Sequence, residues 1–544
     1  MKQYKFPLFL AAGLIAFSAC DDIDEQDPMS GQLTASQVQQ TNGAMPSRTQ
    51  STFSGMFTMM GKPCYTFGES SGRADDFGFI TMAISQDFEG PDCGGVNSGY
   101  NWFSACGEYT TRDPSYANPY LRYAMPYNQI KVANDVIASF AADTEDENAI
   151  NQIAQARAMR AFDYLSIAPY FQFRYEDAKD KPCVPIVTAE TADPANNPRA
   201  TVEEVYKLII EDLTYAIEHL DGFQRPNKGQ IDLNVAYGLR ARAYLNMGMF
   251  AEAAKDAAKA MEGYTPASVG ELTAPSFYDI NDHNWIWGIN IDASMVTDWS
   301  YPTSASWIGS FSAASYSAGV QCYAFINNLL YDKISATDVR KGWWVDENLH
   351  SPLLSNISWS GVTGDAISSL EIDDVKMAFL PYTNVKFGMK SGIGSEINNN
   401  DWPLMRVEEM ILIEIEGLAK SGQEAQARTK LENFVKTYRD PSYRIPSSRT
   451  FNDEIWFQRR VELWGEGFAM SDIMRLKKPV VRFHANAASC YPDAFQFNIS
   501  PEDGWLLMRF PQSEINANSA IVNNSDGTQP EPGQNAELRD GVTD

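Results

Sequence analysis

The chain has 544 residues, of which 70 are acidic and 43 basic, and its formal net charge at pH 7 is -27. A protein with this charge repels phosphate backbones, so the composition excludes a nucleic-acid partner. Hydrophobic residues make up 44% of the chain, which indicates a globular body of one large domain or about two to three ordinary ones.

The amino terminus has the composition of a secretory signal peptide. Lys2 and Lys5 precede a short apolar run over residues 6–17, and small residues then lead into Cys20. The run is too short to cross a bilayer, which needs about 20 apolar residues. A signal that ends on a cysteine resembles the lipobox of bacterial lipoproteins, in which that cysteine becomes the acylated first residue. We therefore expect residues 1–20 to be a lipoprotein signal peptide and Cys20 to carry lipid.

Residues 21–45 are predicted to be an acidic and polar tether. The run from Asp21 to Asp27 has almost no apolar content and cannot bury enough surface to order itself. It also resembles the acidic export signal that sends some lipoproteins to the outer face of the outer membrane. The expected location is therefore the outer membrane, with the protein held by lipid and facing the exterior.

Residues 46–265 are predicted to form a helical region. Apolar residues recur at helical spacing over 151–173. Thr201 is predicted to be the N-cap of a second helix, which has an acidic first turn and runs to about Leu220.

A helix pair follows, over residues 234–247 and 250–261, with a turn at Gly248. Its small and aromatic residues match the spacing of a tetratricopeptide unit; they are Tyr244, Gly248, Phe250, Ala253, Ala257 and Ala260. A weaker copy falls at Leu418, Gly422 and Ala427, within a predicted helix pair over about 405–437. Two such units favour a repeat scaffold.

Residues 266–544 are predicted to form a second region, which begins with a loop-rich, aromatic insert over 266–400. The insert is rich in Ser, Gly, Asn and aromatic residues, and an irregular stretch of this length is usually functional. Helices are predicted over 401–475, followed by a loop-rich tail.

Six segments, in order along the chain, resemble the SusD/RagB family of surface lipoproteins. Residues 128–134 are similar to its early helix, 156–165 to its Arg-Ala-aromatic helix and 228–254 to its tetratricopeptide segment. Residues 401–409 resemble the start of its C-terminal helix, 459–467 its Arg-Arg…Gly-Glu-Gly motif and 509–518 its closing segment. Ala469 departs from the family, which usually has an arginine there, and the repeat around Leu418 lacks the usual aromatic residue.

The resemblance implies a mainly α fold, with a tetratricopeptide-like helix-pair scaffold that carries a loop-rich ligand-binding portion. It also implies capture of a nutrient, most often a glycan, for a SusC-like TonB-dependent transporter in the outer membrane. No cofactor and no catalytic activity are expected.

The charged residues of these motifs are expected to be structural. Glu462, Glu466, Asp472 and Arg475 lie at helix-neighbour spacings, which favour ion pairs. Arg160 and Arg406 are expected to have buried carboxylate partners.

The aromatic residues of the loops are the best ligand candidates, because a flat ring can stack on the apolar face of a sugar while neighbouring polar groups bind its hydroxyls. Two segments stand out, one around residues 99–102 with polar residues upstream and one over 282–307. The candidates are Arg73, Asp75, Asp76, Tyr100, Asn101, Trp102, Trp285, Trp287, Trp299, Tyr301 and Trp307.

Two other functions remain open at this point. An oligopeptide-binding member of the same family would replace stacking by charged or backbone-matching contacts. A surface glycosidase needs two carboxylates about 5–10 Å apart, and the sequence singles out no such pair. The four histidines have no metal-binding spacing, and no EF-hand is present.

Six cysteines follow Cys20, and they allow about 15 pairings that the sequence does not resolve. Cys93 and Cys106 are the only close pair and would be able to form a disulfide across one loop.

Overall fold

The computed structural model describes residues 46–64, 75–96, 103–291, 311–313, 323–356, 369–370, 379–393 and 399–544. Within these ranges the helices are α1 (Pro46–Thr58), α2 (Phe79–Glu89), α3 (Ser104–Gly107), α4 (Ala117–Ala138), α5 (Glu147–Phe171), α6 (Tyr175–Ala178), α7 (Val202–His219), α8 (Leu233–Met247), α9 (Phe250–Ala260), α10 (Asn328–Tyr331), α11 (Val407–Lys420), α12 (Glu424–Tyr438), α13 (Phe451–Glu462), α14 (Ala469–Leu476) and α15 (Gln512–Ala517).

The strands are short and form antiparallel pairs. They are β1 (Cys93–Gly94), β2 (Pro182–Pro185), β3 (Arg199–Thr201), β4 (Trp285–Ile289), β5 (Phe325–Ile326) and β6 (Trp402–Arg406). β1 pairs with β5, β2 with β3, and β4 with β6. Short 3₁₀ segments lie at Met59–Gly61, Pro194–Asn196, Glu271–Thr273, Val339–Trp343, Pro352–Asn356, Asp493–Phe495 and Gly504–Leu506.

Successive helices pack into a continuous array, which confirms the predicted mainly α fold with helix pairs. α4 packs on α5, α5 on α7, α7 on α8, α8 on α9, α9 on α11, and α11 on α12 and α13. The two predicted repeat units are the pairs α8–α9 and α11–α12. The two pairs contact each other where α9 packs on α11. There Gly417 lies so close to α9 that a Cβ added to it would be 2.9 Å from the Cβ of Ala254.

The local signals read from the sequence fix the helix ends. At the start of α7 the Thr201 side chain accepts a hydrogen bond from the Glu204 amide, and the Glu204 carboxylate accepts one from the Thr201 amide. Two backbone N–H groups that have no partner within the helix are thereby satisfied. α8 ends at Gly248, whose φ of +75° is strained for any residue with a Cβ. Of the described helices, none is both long enough and apolar enough to cross a membrane.

A buried cluster of ion pairs joins the helices to the loop-rich insert. It consists of Asp338, Arg340, Lys386, Arg406, Glu408, Arg439, Glu462 and Glu466, in which basic and acidic side chains balance. Arg406 Nε lies 2.8 Å from Glu466 and Arg439 Nε lies 2.7 Å from Glu462. Burial would raise the pKa of Glu462, but the guanidinium groups, Arg439 first among them, outweigh it and hold that pKa below its usual range.

These pairs confirm the structural interpretation of the motif charges. Arg160 makes a bidentate ion pair with Asp212, with two hydrogen bonds of 2.8 Å. Asp472 forms ion pairs with both Arg459 and Arg475. Removing one partner from such a buried pair leaves an uncompensated charge and typically costs about 3–5 kcal/mol.

The disulfide that Cys93 and Cys106 would be able to form is not present in the structure, in which both are free thiols. Cys93 lies in β1, whereas Cys106 lies in α3 beside Ser85, 3.7 Å from its hydroxyl. Burial raises the pKa of Cys106 to about 11, so its thiol stays protonated at neutral pH.

Candidate functional site

Most of the predicted ligand residues lie outside the described residues. They are Arg73, Tyr100, Asn101, Trp102, Trp299, Tyr301 and Trp307, and they belong to the segments 65–74, 97–102 and 292–310. The remaining four candidates, Asp75, Asp76, Trp285 and Trp287, are described, and so are the residues that flank each segment.

Trp285 and Trp287 are core residues, and their prediction as ligand contacts is wrong. Both are 0% exposed. The Trp287 ring packs edge-on against Phe162 with 4.9 Å between centroids, and its Nε1 donates to the carbonyl of Gly229 at 3.1 Å. The physical reason is the pairing of β4 with β6, a strand far along the chain, which encloses β4.

Asp75 and Asp76 close the base of the segment 65–74. The carboxylate of Asp76 is 0% exposed and accepts a hydrogen bond from the Cys64 amide at 2.8 Å, which ties the residue before the segment to one just after it. The Asp75 carbonyl accepts from the Thr81 hydroxyl at 2.7 Å, at the start of α2. Both residues therefore fix the chain on either side of this segment, and Asp76 is too buried to reach a ligand in this conformation.

Four phenylalanines bring the ends of the three candidate-bearing segments together. Phe103 lies 6.0 Å from Phe77 and 5.9 Å from Phe88, and Phe88 lies 6.3 Å from Phe311, measured between ring centroids. Phe103 directly follows 97–102, Phe311 directly follows 292–310, and Phe77 follows 65–74 by two residues. We call Phe77, Phe88, Phe103 and Phe311 the root cluster.

The opposite ends of two of these segments are also adjacent. Gly61, in the turn before 65–74, packs so closely on Ile291, the last residue before 292–310, that a Cβ has no room there. The Ile291 amide donates to Asp401 at 2.8 Å, which fixes this end to the residue before β6. The described residues that flank these two segments are therefore close together at both ends, at Gly61 and Ile291 on one side and at the root cluster on the other.

The end of α2 that carries Phe88 is held by buried charges. Arg482 donates to the carbonyls of Phe88 at 2.8 Å, Glu89 at 2.9 Å and Gly90 at 3.1 Å, and a cation at this position complements the helix dipole. The Glu89 carboxylate lies 2.6 Å from Arg122 and 2.8 Å from Arg112. These contacts make the support of the root cluster rigid.

Asp87, on the same helix, connects the root cluster to the Gly-Glu-Gly motif. Its carboxyl group accepts hydrogen bonds from the amides of Gly467 at 2.8 Å and Ala469 at 3.1 Å. Burial raises the pKa of Asp87 to about 7, even though these two amides favour the charged form.

A side-chain amide supports the other side of Phe311. Asn384 donates to the carbonyls of Phe311 and Ala324, both at 2.8 Å, and the Ala324 amide donates to the Phe311 carbonyl at 2.9 Å. Phe311 also packs on Trp464, with 5.6 Å between centroids. The root cluster therefore rests on both the loop-rich insert and the helical scaffold.

The sequence interpretation missed the root cluster. The available signal was an apolar aromatic residue close behind each polar-aromatic segment, as at Phe103 after Trp102 and at Phe311 after Trp307. Nothing local distinguishes these anchoring rings from ligand-facing ones, because the difference depends on contacts between residues far apart in the sequence.

The described residues contain no group of three or more His, Cys, Asp or Glu side chains placed to hold a metal ion. The cavity beneath Phe468, lined by charged residues including Arg242, Glu409 and Arg475, has a volume of about 90 Å³. Its arginines are paired with carboxylates, Arg242 with Glu409 and Arg475 with Glu416, which is the role of scaffold residues.

Two family models match the chain. Residues 85–245 match the family described as starch-binding and associating with the outer membrane, and residues 373–527 match the SusD family. None of the curated proteins matches the sequence.

Solved structures share the fold over nearly their whole length. A SusD-like carbohydrate binding protein from Bacteroides vulgatus is 22% identical, with a TM-score of 0.69 over 88% of this chain and 97% of that one. A SusD superfamily protein from Bacteroides thetaiotaomicron is 21% identical, with a TM-score of 0.68 over 88% and 99%. Surface glycan-binding protein A from Bacteroides thetaiotaomicron, in complex with laminarihexaose, is 18% identical, with a TM-score of 0.62 over 88% and 99%. Together with the six motifs, these matches show that the chain belongs to the SusD/RagB family.

Proposed function

We propose that this protein captures a glycan at the cell surface without cleaving it and delivers it to a SusC-like TonB-dependent transporter. The observation that carries the proposal is the root cluster, which gathers the ends of the three segments that hold the polar and aromatic candidates. One binding surface can therefore be assembled from residues that are far apart in the sequence. The laminarihexaose complex of a protein with the same fold supports the ligand class.

The proposed ligand surface consists of residues in the three segments that the root cluster anchors. They are Arg73, Tyr100, Asn101, Trp102, Trp299, Tyr301 and Trp307. Tyr and Trp rings stack on the apolar faces of sugar rings, while the Arg and Asn side chains bind hydroxyl groups. The strong negative charge of the whole chain suits a neutral polysaccharide better than an anionic one.

Lipid on Cys20 would keep the protein at the membrane that contains the transporter. An acyl chain and the acidic tether over residues 21–45 would hold the body beside the transporter, at the outer face of the outer membrane. Tethering raises the local concentration of bound ligand at the transporter, so weak binding to each sugar is sufficient.

The test uses soluble protein that begins just after Cys20. We would run it by affinity electrophoresis through gels containing starch, laminarin, xylan, galactan or mannan, and measure new reducing ends in parallel. Retardation by a glycan without new reducing ends is the expected result. New reducing ends would show a surface glycosidase instead, and binding only to a peptide panel would show an oligopeptide-binding member of the family.

A further inference from the structure

An open cavity of about 320 Å³ lies between the loop-rich insert and the C-terminal tail. It is lined by Phe325, Asn328, Glu347, Leu380, Pro381, Tyr382, Ala488, Ser489 and Cys490. This volume is at the lower end of the range of about 300–1,000 Å³ that small-molecule sites occupy. We call the apolar lining residues, which include Phe325, Leu380 and Tyr382, the apolar wall, and the polar lining residues, which include Asn328, Glu347 and Ser489, the polar wall.

Tyr382 is held in a strained backbone conformation on the apolar wall. Its φ is +67°, which is a genuine outlier for a bulky side chain. The strained backbone is fixed on both sides, because the Tyr382 amide donates to Val345 at 3.1 Å and its carbonyl accepts from Ile326 at 3.1 Å. Strain of this kind persists where the surrounding structure enforces it and is concentrated at ligand sites.

The strain places the half-buried ring of Tyr382 on the cavity wall. The ring packs edge-on against Tyr331 with 5.2 Å between centroids, which sets its orientation. The fixed, partly exposed ring resembles the platforms that stack on sugars, since it combines an apolar face with a polar edge.

The polar wall suits a neutral, hydroxyl-rich ligand. Glu347 is exposed and has no hydrogen-bond or ion-pair partner among the described residues, so its carboxylate oxygens are free to accept from hydroxyl groups. Burial first, and then the charge of Asp332, raises the pKa of the Tyr382 hydroxyl, which therefore stays protonated at neutral pH. The charge of Glu347 disfavours an anion, whereas its oxygens are acceptors for the hydroxyl groups of a sugar.

The cavity adjoins the chain that leads into the segment 97–102. Phe325 on its wall pairs with Gly94 in β1, and it packs in a cluster with Tyr491 and Phe495. Val96, the residue before 97–102, packs on the same cluster, as do Leu380 and Tyr382. The cavity and the root of the segment that carries Trp102 therefore share one hydrophobic support.

From these contacts we propose that the cavity is a second sugar subsite, in which Tyr382 stacks on one ring of the glycan and Glu347 binds its hydroxyls. This inference rests on the proposed function, because the ligand is the same glycan. The subsite lies on the β1–β5 pair, next to Val96, and it is formed by described residues alone.

The test compares Tyr382→Gly with Leu349→Gly in the same polysaccharide gels. Glycine removes the Tyr382 ring and also relieves the strained φ, so the variant is expected to fold. Leu349 has a φ of +64° and does not line the cavity, which makes it the matched control. Glu347→Gln, at an exposed position, is a second variant that leaves the fold unaffected. Thermal melting of every variant checks folding.

The expected result is about tenfold weaker retardation of Tyr382→Gly and a smaller loss for Glu347→Gln, with Leu349→Gly equal to the wild type. If all three variants bind like the wild type while Trp102→Ala does not, the subsite is overturned and the proposed function stands. If the wild type is retarded by no polysaccharide, the proposed function fails and the subsite fails with it.

Discussion

Replacing Trp287 by alanine tests whether this residue belongs to the core or to the ligand surface. The side chain is fully buried, packs on Phe162 and donates a hydrogen bond to Gly229. Truncating a buried tryptophan leaves a cavity and typically costs about 3–5 kcal/mol. We therefore expect Trp287→Ala to lower the free energy of unfolding by about that amount. Trp287→Phe keeps most of the ring and loses the hydrogen bond, for a cost of about 1–2 kcal/mol.

Urea unfolding followed by tryptophan fluorescence measures these changes, and affinity electrophoresis at low temperature measures binding by the folded fraction. Trp287→Ala is expected to lose stability and to bind glycan normally once folded. Trp102→Ala is expected to keep the stability of the wild type and to lose glycan binding. A Trp287→Ala protein with wild-type stability but no glycan binding would refute the assignment of this residue to the core.

Three further outcomes follow from the same structure. Gly467→Ala should lower the free energy of unfolding by about 2–5 kcal/mol, because φ is +85° and the new Cβ would lie 2.5 Å from the Cβ of Ala83. The control Gly222→Ala, at φ +79° in open space, should cost only about 1–2 kcal/mol. Equal losses of stability in the two variants would contradict this reasoning. Glu462→Gln should cost about 3–5 kcal/mol in chemical unfolding, since it removes one of the carboxylates that balance the buried guanidinium groups of Arg340, Arg406 and Arg439 and so leaves one positive charge uncompensated. Asp87, with its pKa raised to about 7 by burial, binds a proton more tightly when folded, so its stabilising contribution is full below pH 3.8 and is lost as the pH rises to about 7. Wild-type stability relative to Asp87→Asn should fall by up to about 4 kcal/mol over that window, and a flat difference would show that the carboxyl is already ionised.

The helical scaffold was predictable because its signals are local. The Thr201–Glu204 capping box and the glycine at 248 fix helix ends within a few residues, and the structure confirms both. The predicted carboxylate partners of Arg160 and Arg406 are also present, because a buried guanidinium group needs an acceptor close by.

The loop-rich insert was less predictable because its contacts are remote. Trp285 and Trp287 were indistinguishable in the sequence from exposed tryptophans, and contacts with remote parts of the chain, such as strand β6 and the Phe162 ring, bury them. The proximity of Cys93 and Cys106 in the sequence likewise left a disulfide open, although Cys93 lies in a strand, Cys106 lies in a helix, and both are free thiols. The root cluster depends on the same kind of remote contact.

The most direct test of glycan capture is a crystal structure of the soluble protein with an oligosaccharide of the glycan that retards it. Our account predicts sugar rings stacked within about 4 Å of Trp102 or of the tryptophans at 299 and 307, on the segments that the root cluster anchors. Sugar bound only against the helical scaffold, away from those segments, would contradict it.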